Sequence, residues 1–219
     1  MLKTKYLILT LVLALALGIG IPAYNIVALE PAVFRLLTDA TEQDAIRIAQ
    51  HLASLVFSET DGVPHANPSP EQVQKIDHFK KDLELMKLKV FSPEGLILFS
   101  TTPEDIGKVN NKPYFRDIVA QGQPFSKLVT KAHRSMEDQV VTADVVETYV
   151  PVMRQGRFAG AFEIYYDVTR RKASIDSLLK HSSTLMALAS IMFLGLISLL
   201  GFKAKKSAAK QTRAEKALR

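Results

Sequence analysis

The chain contains no cysteine among its 219 residues, which excludes disulfides, thiol catalysis and cysteine-ligated zinc. It also lacks a Gly-x-Ser-x-Gly motif, a glycine-rich phosphate loop and a His-Glu-x-x-His motif. Its 5 histidines are scattered without metal-ligand spacing, and no loop carries the alternating oxygen ligands of a calcium site. We therefore expect no enzymatic activity in this chain, no cofactor and no metal.

Charge is missing from two long segments. Residues 6–29, YLILTLVLALALGIGIPAYNIVAL, and residues 184–202, TLMALASIMFLGLISLLGF, contain no Asp, Glu, Lys or Arg. As helices they would be roughly 36 Å and 28 Å long, against about 30 Å for the apolar core of a bilayer. The sequence therefore predicts two transmembrane helices. A secretory signal cleaved near Ala28 is the alternative for the first, but the apolar run is longer than the core of such a signal.

The distribution of basic residues predicts the orientation. Lysines precede the first segment and follow the second, at Lys3, Lys5, Lys203, Lys205, Lys206 and Lys210. By the positive-inside rule we expect an inner-membrane protein with residues 1–5 and 203–219 in the cytoplasm and residues 30–183 outside. The basic residues 170–172 lie on the outer side, which is acceptable because long loops are translocated largely regardless of charge.

The net charge of +6 is concentrated at the termini. Residues 30–183 contain 19 Lys and Arg against 21 Asp and Glu, a balance of −2. The basic excess is therefore typical of membrane topology and of contact with a membrane surface, and it does not indicate a nucleic-acid partner.

The predicted exported segment begins with two helices. Residues 32–60 show helical spacing of apolar side chains at Ile46, Ala49, Leu52, Ala53 and Val56. Residues 61–70, DGVPHANPSP, form a loop. A second helix opens at Pro70, and its apolar face is formed by Val73, Ile76, Phe79, Leu83 and Met86.

Short strands follow the helices. Residues 87–92 and 96–101 are predicted strands separated by a Pro-Glu-Gly turn, a short helix lies around Tyr114–Ala120, and residues 124–133 supply a third strand. Residues 145–169, VVETYVPVMRQGRFAGAFEIYYDVT, supply two more as a hairpin, and the chain becomes helical from Thr169. Strands in hairpin succession imply an antiparallel sheet with helices on one face, which is an α+β fold.

Residues 86–169 carry a resemblance to a known family. The stretch FSPEGLILFSTTPEDIGKVNNKPYFRDIVAQGQPF, with its turn glycine and its aromatic pair Tyr114-Phe115, and the hairpin closed by a strand led by Gly160 are similar to the Cache domain. This is the extracytoplasmic, PAS-like sensor of bacterial receptors. The resemblance implies a PAS-like antiparallel sheet behind a long N-terminal helix and a small-molecule sensor that feeds a histidine kinase, a cyclic-dinucleotide enzyme or a chemoreceptor.

The hairpin places its polar residues at alternate positions, so that they share one face. Glu147, Tyr149, Glu163, Tyr165 and Asp167 are all odd-numbered, and the even-numbered Phe158, Phe162, Ile164 and Val168 are predicted to face the core. A three-residue loop would pair Glu147 with Glu163, and a two-residue Gln-Gly turn would pair Glu147 with Ile164. We favour the first, which keeps the apolar faces together. Facing carboxylates repel unless they are solvated, protonated or bridged by a cation.

The candidate ligand site follows from this face and from the resemblance. The resemblance implies that the face is a pocket floor, where Tyr149 and Tyr165 pack against a ligand and Asp167 holds an ammonium or hydroxyl group. Arg116 is suited to a two-pronged hydrogen bond with a ligand carboxylate. Tyr114 and His133 complete the set, together with Glu147 and Glu163. The alternatives are a solvated face, a solvent-facing Arg116 beside Asp117, and a structural His133.

These features predict a membrane-bound receptor of the two-component type. A Cache-like domain would bind an amino acid, an amine or a carboxylate and transmit through the second transmembrane helix. The terminal RAEKALR resembles the segment that leads into PAS or kinase modules, so we expect an output module beyond residue 219. Gly18, Gly20 and Pro22 suit close helix packing in a homodimer. The alternatives are a sensor for a periplasmic protein and, less consistent with the motifs, an anchored exported enzyme.

Overall fold

The computed structural model describes residues 2–56, 74, 76, 78, 80 and 85–217. The chain forms two compact units. One consists of Met1–Val33 and Ser174–Arg219, and the other, called here the sheet domain, is Phe34–Ala173.

Both predicted apolar segments are helical. An N-terminal helix, Leu2–Tyr24, continues through a π-helical turn, Asn25–Leu29, into a second helix, Glu30–Val56. The C-terminal helix is Thr169–Ala217. Two of the described helices are long and apolar enough to cross a membrane, judged by length and composition.

The two apolar segments contact each other within the chain. A β-carbon added at Gly18 would lie 3.2 Å from Leu194 Cγ, and Asn25 Nδ2 donates a hydrogen bond of 2.8 Å to Ser183 Oγ. Gly18 therefore allows close packing between two helices of the same chain, as small residues do between membrane helices.

The sheet domain is built on five antiparallel strands. They are β1 (Leu85–Phe91), β2 (Ile97–Ser100), β3 (Phe125–Val129), β4 (Val145–Arg154) and β5 (Arg157–Asp167). The strand order is β2-β1-β5-β4-β3. Between β2 and β3 lie the 3₁₀ turns Pro103–Asp105 and Val119–Gln121 and a short helix, Pro113–Asp117. The prediction of an α+β fold with an antiparallel sheet is confirmed.

One face of the sheet packs against the helix Glu30–Val56. Ala45, Ile48, Ala49 and Leu52 are buried on one side of this helix, where they meet Leu88, Val90, Phe162 and Ile164 of the central strands. The spacing is that of an amphipathic helix on a half-buried sheet. Its predicted end at residue 60, and the loop 61–70, lie outside the described residues.

The second predicted helix is described only in part. Residues 74, 76, 78 and 80 are helical, and Ile76 is buried in the cluster beneath the helix Glu30–Val56. Val73, Phe79 and Leu83 lie outside the described residues. The placement of Met86 on this helix is wrong, because β1 begins at Leu85 and leaves Met86 37% exposed.

The predicted hairpin is present, but both proposed registers are wrong. The two-residue turn Gln155-Gly156 pairs Arg154 with Arg157, and a bulge then shifts the register between Val152 and Met153. As a result Glu147 pairs with Tyr165, and Tyr149 pairs with Glu163. The extra residue of a bulge moves all later side chains by one position, so the two polar sets meet even though the turn has two residues.

The predicted placement of Phe158 on the helix-covered face is wrong, and the bulge is the reason. This side chain packs with Phe115 on the face opposite to Phe162. Strand alternation is interrupted at the inserted residue, so Ala159 takes the place on the helix-covered face that Phe158 was predicted to fill.

A glycine in the first turn of the sheet is expected to be essential for stability. Gly95 has φ +86°, and a β-carbon there would lie 2.7 Å from the carbonyl oxygen of Asn110. Replacing Gly95 with alanine should lower the free energy of unfolding by about 2 kcal/mol or more, from backbone strain and the clash together. Gly107 is a matched control, because it has the same φ, +86°, with no atom within 4 Å of the added carbon. Urea unfolding that shows equal losses for the two variants would contradict this role of the contact.

Candidate functional site

The second face of the sheet holds the polar side chains predicted from the hairpin. Glu147, Tyr149 and Glu163 have no exposed surface, and Tyr165 is 4% exposed. The alternative of a solvated face is therefore excluded for these residues. Register brings Lys89 of β1 directly opposite Glu163, which makes β5 the centre of a buried ionic cluster.

A lysine of the chain supplies the cation that facing carboxylates require. Lys89 Nζ lies 2.9 Å from Glu163 Oε2 and 3.9 Å from Asp105 Oδ2, and it also contacts Glu137 Oε2. The Lys89 side chain has no exposed surface. Its ammonium group lies 5.5 Å from the centre of the Tyr165 ring, at the distance of a cation–π contact. The charge of Lys89 is thus compensated entirely inside the domain.

Tyr165 connects the two buried glutamates. Its hydroxyl lies 2.9 Å from Glu147 Oε1 and 2.9 Å from Glu163 Oε1. A hydroxyl carries one proton and donates to one carboxylate at a time. Met136 N–H donates to the other oxygen of Glu147 at 2.8 Å. A proton on Glu163, donated to the Tyr165 oxygen, would therefore complete the network.

The electrostatics of the cluster favour that proton. Burial raises the pKa of Glu163 to about 7, with Lys89 opposing the shift and Glu147 adding to it. Burial and the charge of Glu163 also raise the pKa of Glu137. Burial on its own lowers the pKa of Lys89, but Glu163 and Glu137 outweigh it and hold that pKa above its usual value. Lys89 stays charged, and Glu163 titrates near neutrality.

Asp105 closes the outer side of the cluster. Its carboxylate contacts Lys87, accepts a hydrogen bond of 2.8 Å from Lys108 Nζ and one of 2.9 Å from Gln139 Nε2. Burial favours its neutral form, but these donors together hold the pKa of Asp105 well below its usual range. Asp105 is therefore a fixed negative charge between Lys87 and Lys89.

Aromatic side chains form the other half of this face. Asn110 Nδ2 donates to the hydroxyls of Tyr114 and Tyr149, each at 3.1 Å, and the Tyr114 hydroxyl donates to that of Tyr149 at 3.2 Å. The Tyr149 ring lies 5.7 Å from Phe91 and 6.2 Å from Phe115. Burial is the main reason that the pKa of Tyr114 is raised to about 12. Of the aromatic pair of the sequence, Phe115 is therefore buried in the core, and Tyr114 packs against it partly buried.

Three predicted site residues lie away from the cluster. The Arg116 side chain is 81% exposed and its Nε donates to Asp117 Oδ1 at 2.8 Å. His133 is exposed, and its Nδ1 lies 2.8 Å from Thr130 Oγ1. Asp167 is exposed, and its Oδ1 accepts the Thr169 N–H at 2.8 Å. Asp167 therefore accepts a hydrogen bond from the first N–H group of the C-terminal helix, which has no acceptor within the helix.

Two adjoining clefts lie on the sheet domain, and the first reaches the cluster at Glu137. One of about 130 Å³ is lined by Lys108, Asn110, Lys112, Glu137 and Gln139 among others. A second, of about 300 Å³, shares Asn110 and Lys112 with it and includes Arg116. Within the described residues, no group of three or more His, Asp or Glu side chains is arranged to hold a metal ion.

Sequence reasoning missed Lys89, Asp105 and Glu137. Lys87 and Lys89 alternate with Leu88 and Val90, which shows a polar face on β1, but only the pairing of β1 with β5 places that face over Glu163. Asp105 lies in a 3₁₀ turn and Glu137 in a loop. No periodicity marks such positions, so only the folded chain identifies them.

No family model matches the chain, and no curated protein matches it. Among solved structures, it is similar to the sensor domain of E. coli DcuS, with a TM-score of 0.42 and 15% identity over 63% of this chain and 98% of that one. The sensor domain of the V. cholerae histidine kinase DctB matches with a TM-score of 0.40 and 16% identity, over 64% of this chain and 54% of that one.

The ligand-binding domain of the Campylobacter jejuni chemoreceptor Tlp3, in complex with L-norvaline, matches with a TM-score of 0.41 and 10% identity. That match covers 81% of this chain and 64% of the Tlp3 domain. The chain thus spans about half of the DctB domain and just under two thirds of the Tlp3 domain. All three are sensor or ligand-binding domains. At these identities, what this chain binds has to be argued from its own residues.

Proposed function

We propose that this chain is the sensing part of a membrane receptor, in which the sheet domain binds a small polar molecule and the C-terminal helix carries the response. The observation that supports it most is the course of β5. This strand carries Glu163 and Tyr165 at the centre of the cluster and ends at Asp167, and the helix Thr169–Ala217 begins two residues later. A change at the cluster therefore acts on the strand that leads into the helix.

The junction between β5 and the C-terminal helix is short, and hydrogen bonds to Asp144 hold it in place. Val168 is 1% exposed, and its N–H donates to Asp144 O at 2.8 Å. Asp144 N–H donates to Thr169 Oγ1 at 3.1 Å. One connecting residue held in this way leaves little slack, so a shift of β5 would move the first turn of the helix instead of being absorbed by a flexible linker.

The proposal includes the orientation of the chain in the membrane. Residues 6–29 and 184–202 would cross the inner membrane, with both termini in the cytoplasm and residues 30–183 outside. The lysines that flank the apolar segments support this orientation. The ligand would be an amino acid, an amine or a carboxylate, and a downstream output module would read the helix. A ligand would need about 5.5 kcal/mol of differential affinity to reverse a 1:99 population of two helix arrangements.

The coupling is testable with the full chain in detergent micelles. Because the chain has no cysteine, a single Cys at exposed Ser177 reports on the helix through its rate of modification. A compound that raises the thermal midpoint, found by screening amino acids, amines and carboxylates, should change this rate. Inserting two glycines between Val168 and Thr169 should preserve binding and remove the change. If no compound binds, or if the insertion leaves the change intact, the proposal is wrong.

A further inference from the structure

Glu137 reaches the buried cluster from a loop. It lies between β3 and β4, and Ser135 Oγ accepts hydrogen bonds from the backbone N–H groups of Glu137 and Gln139, each at 3.2 Å. Its side chain is 12% exposed, whereas those of Lys89 and Glu163 have no exposed surface. The Glu137 carboxylate therefore meets the Lys89 ammonium at the edge of the cluster that faces solvent.

The same carboxylate lines the cleft of about 130 Å³. Lys108 and Lys112 bring positive charge to this cleft, and Asn110, Asn111 and Gln139 bring amides. Lys108 is 56% exposed, and the Lys112 side chain 41% exposed, where it contacts Asp138. Asp105 and Asp138 pair with these two lysines, and the cleft leads from solvent to the contact between Glu137 and Lys89.

We propose that the Glu137 carboxylate occupies the position of a ligand carboxylate in the unliganded protein. The ligand of the sensor is then a small carboxylate that enters this cleft and replaces Glu137 in the contact with Lys89. The inference rests on the proposed sensor function and narrows its ligand class. Exchanging one carboxylate for another keeps the charge of Lys89 compensated, so no unpaired charge is buried at any stage. An amine in the same place would set a second cation beside Lys89 and is disfavoured.

Replacement of Glu137 would also free the loop that carries it. The backbone next to Glu137 is attached to the cluster through the hydrogen bond from Met136 N–H to Glu147, and Glu147 is bonded to Tyr165 of β5. Displacing Glu137 therefore acts on the contacts of β5 through a short chain of hydrogen bonds. This gives the ligand a route to the strand that precedes the C-terminal helix.

A tethered carboxylate competes with a free one at an effective concentration of millimolar order or higher. Removing the Glu137 carboxylate should therefore raise the apparent affinity of the site for a free carboxylate. Glu137→Ala retains the β-carbon and leaves space for the remaining atoms of the side chain, which acetate supplies. Acetate is thus a probe matched to the vacancy, with methylammonium and sodium chloride as controls for charge and for ionic strength.

The experiment measures the thermal midpoint of the full chain in detergent micelles against acetate concentration, by tyrosine fluorescence, because the chain has no tryptophan. E137A should be stabilised by acetate at a half-effect concentration at least about tenfold below that of the unaltered protein. E137Q fills the same space with an amide and should not respond. E104Q, which removes an exposed carboxylate that does not line the cleft, should behave like the unaltered protein.

Several outcomes would overturn the inference: an equal response of E137A and E137Q to acetate, an equal response to acetate and sodium chloride, or a stronger response to methylammonium. If E137A does not fold in buffer, the folded fraction recovered with acetate replaces the midpoint, and failure of acetate to recover it counts against the inference. The sensor proposal fails separately, when no compound in the screen binds the unaltered chain or alters the rate at Ser177.

Discussion

Replacing Lys89 with methionine is expected to lower the free energy of unfolding of the sheet domain by about 3–5 kcal/mol near neutral pH, the cost of removing one partner of a buried ion pair. Methionine fits the volume of the lysine stem, so the loss reports on charge more than on packing. Without the ammonium, Glu163 and Glu137 lie in a buried environment, and the described residues place no other cation at contact distance from Glu163. Urea unfolding followed by tyrosine fluorescence measures the loss.

The loss in K89M should depend on pH in a defined direction. The pKa of Lys89 is raised, so its charge and its contribution persist throughout the neutral range. Without it the carboxyls become still harder to ionise, and the variant should regain stability as pH falls and they are protonated. K127M is the matched control, because Lys127 is an exposed lysine on β3. A loss in K89M no larger than in K127M, or one that grows at low pH, would contradict the ionic role assigned to Lys89.

Replacing Glu163 with glutamine is expected to flatten the pH dependence of stability. The pKa of Glu163 is raised from 4.5 to about 7 in the folded protein, so the folded state holds this proton more tightly than the unfolded state. The associated stability is full below pH 4.5 and is lost as pH rises through about 7. A shift of this size corresponds to about 3 kcal/mol. In E163Q most of this decline should be absent.

The charged and titratable groups around Glu163 determine how much of the pH dependence of stability remains in E163Q. From the neighbouring strands and β5 itself, these groups are Lys87, Lys89, Glu147, Tyr149 and Tyr165. From the segments that cover this face, they are Asp105, Tyr114 and Glu137. Glu137 also has a raised pKa, so a smaller decline in the same direction should persist. Asp105 has a lowered pKa and acts in the opposite sense, below this window.

Unfolding free energies at pH 5 and pH 8 measure this difference between E163Q and the unaltered chain. Glu104→Gln is the control, because Glu104 is an exposed carboxylate in the same domain and its change should leave the profile as it is. A decline in E163Q as steep as in the unaltered protein would show that another group carries the proton.

Local patterns were sufficient for most of the secondary structure. Apolar residues at helical spacing predicted the helix that ends at Val56 in the described residues, and alternation predicted the hairpin of β4 and β5. The observed element boundaries differ from the predicted ones by a few residues. The strand predicted at residues 124–133, for example, ends at Val129. Element boundaries depend on contacts with neighbouring segments, which a single stretch of sequence does not contain.

The candidate site was predictable in part. Glu147, Tyr149, Glu163 and Tyr165 were correctly predicted to share a face, because alternation in a strand fixes which side chains point the same way, and their contact with a ligand stays a prediction. The register of β4 against β5 was not predicted correctly, because the bulge at Ala159 gives no sequence signal comparable to that of the turn. Arg116 and His133 were selected by residue type, which does not determine whether a side chain points inward.

The sequence by itself determined the apolar segments, the class of fold and the polar face of the hairpin, since each depends on the order of neighbouring residues. Only the tertiary structure decided what fills that face. Lys89, Asp105 and Glu137 come from a distant strand, a turn and a loop, and chain folding brings them to one point beside β5. Burial then decides their chemistry, because a charge removed from water requires a partner at contact distance, and sequence spacing does not encode that distance.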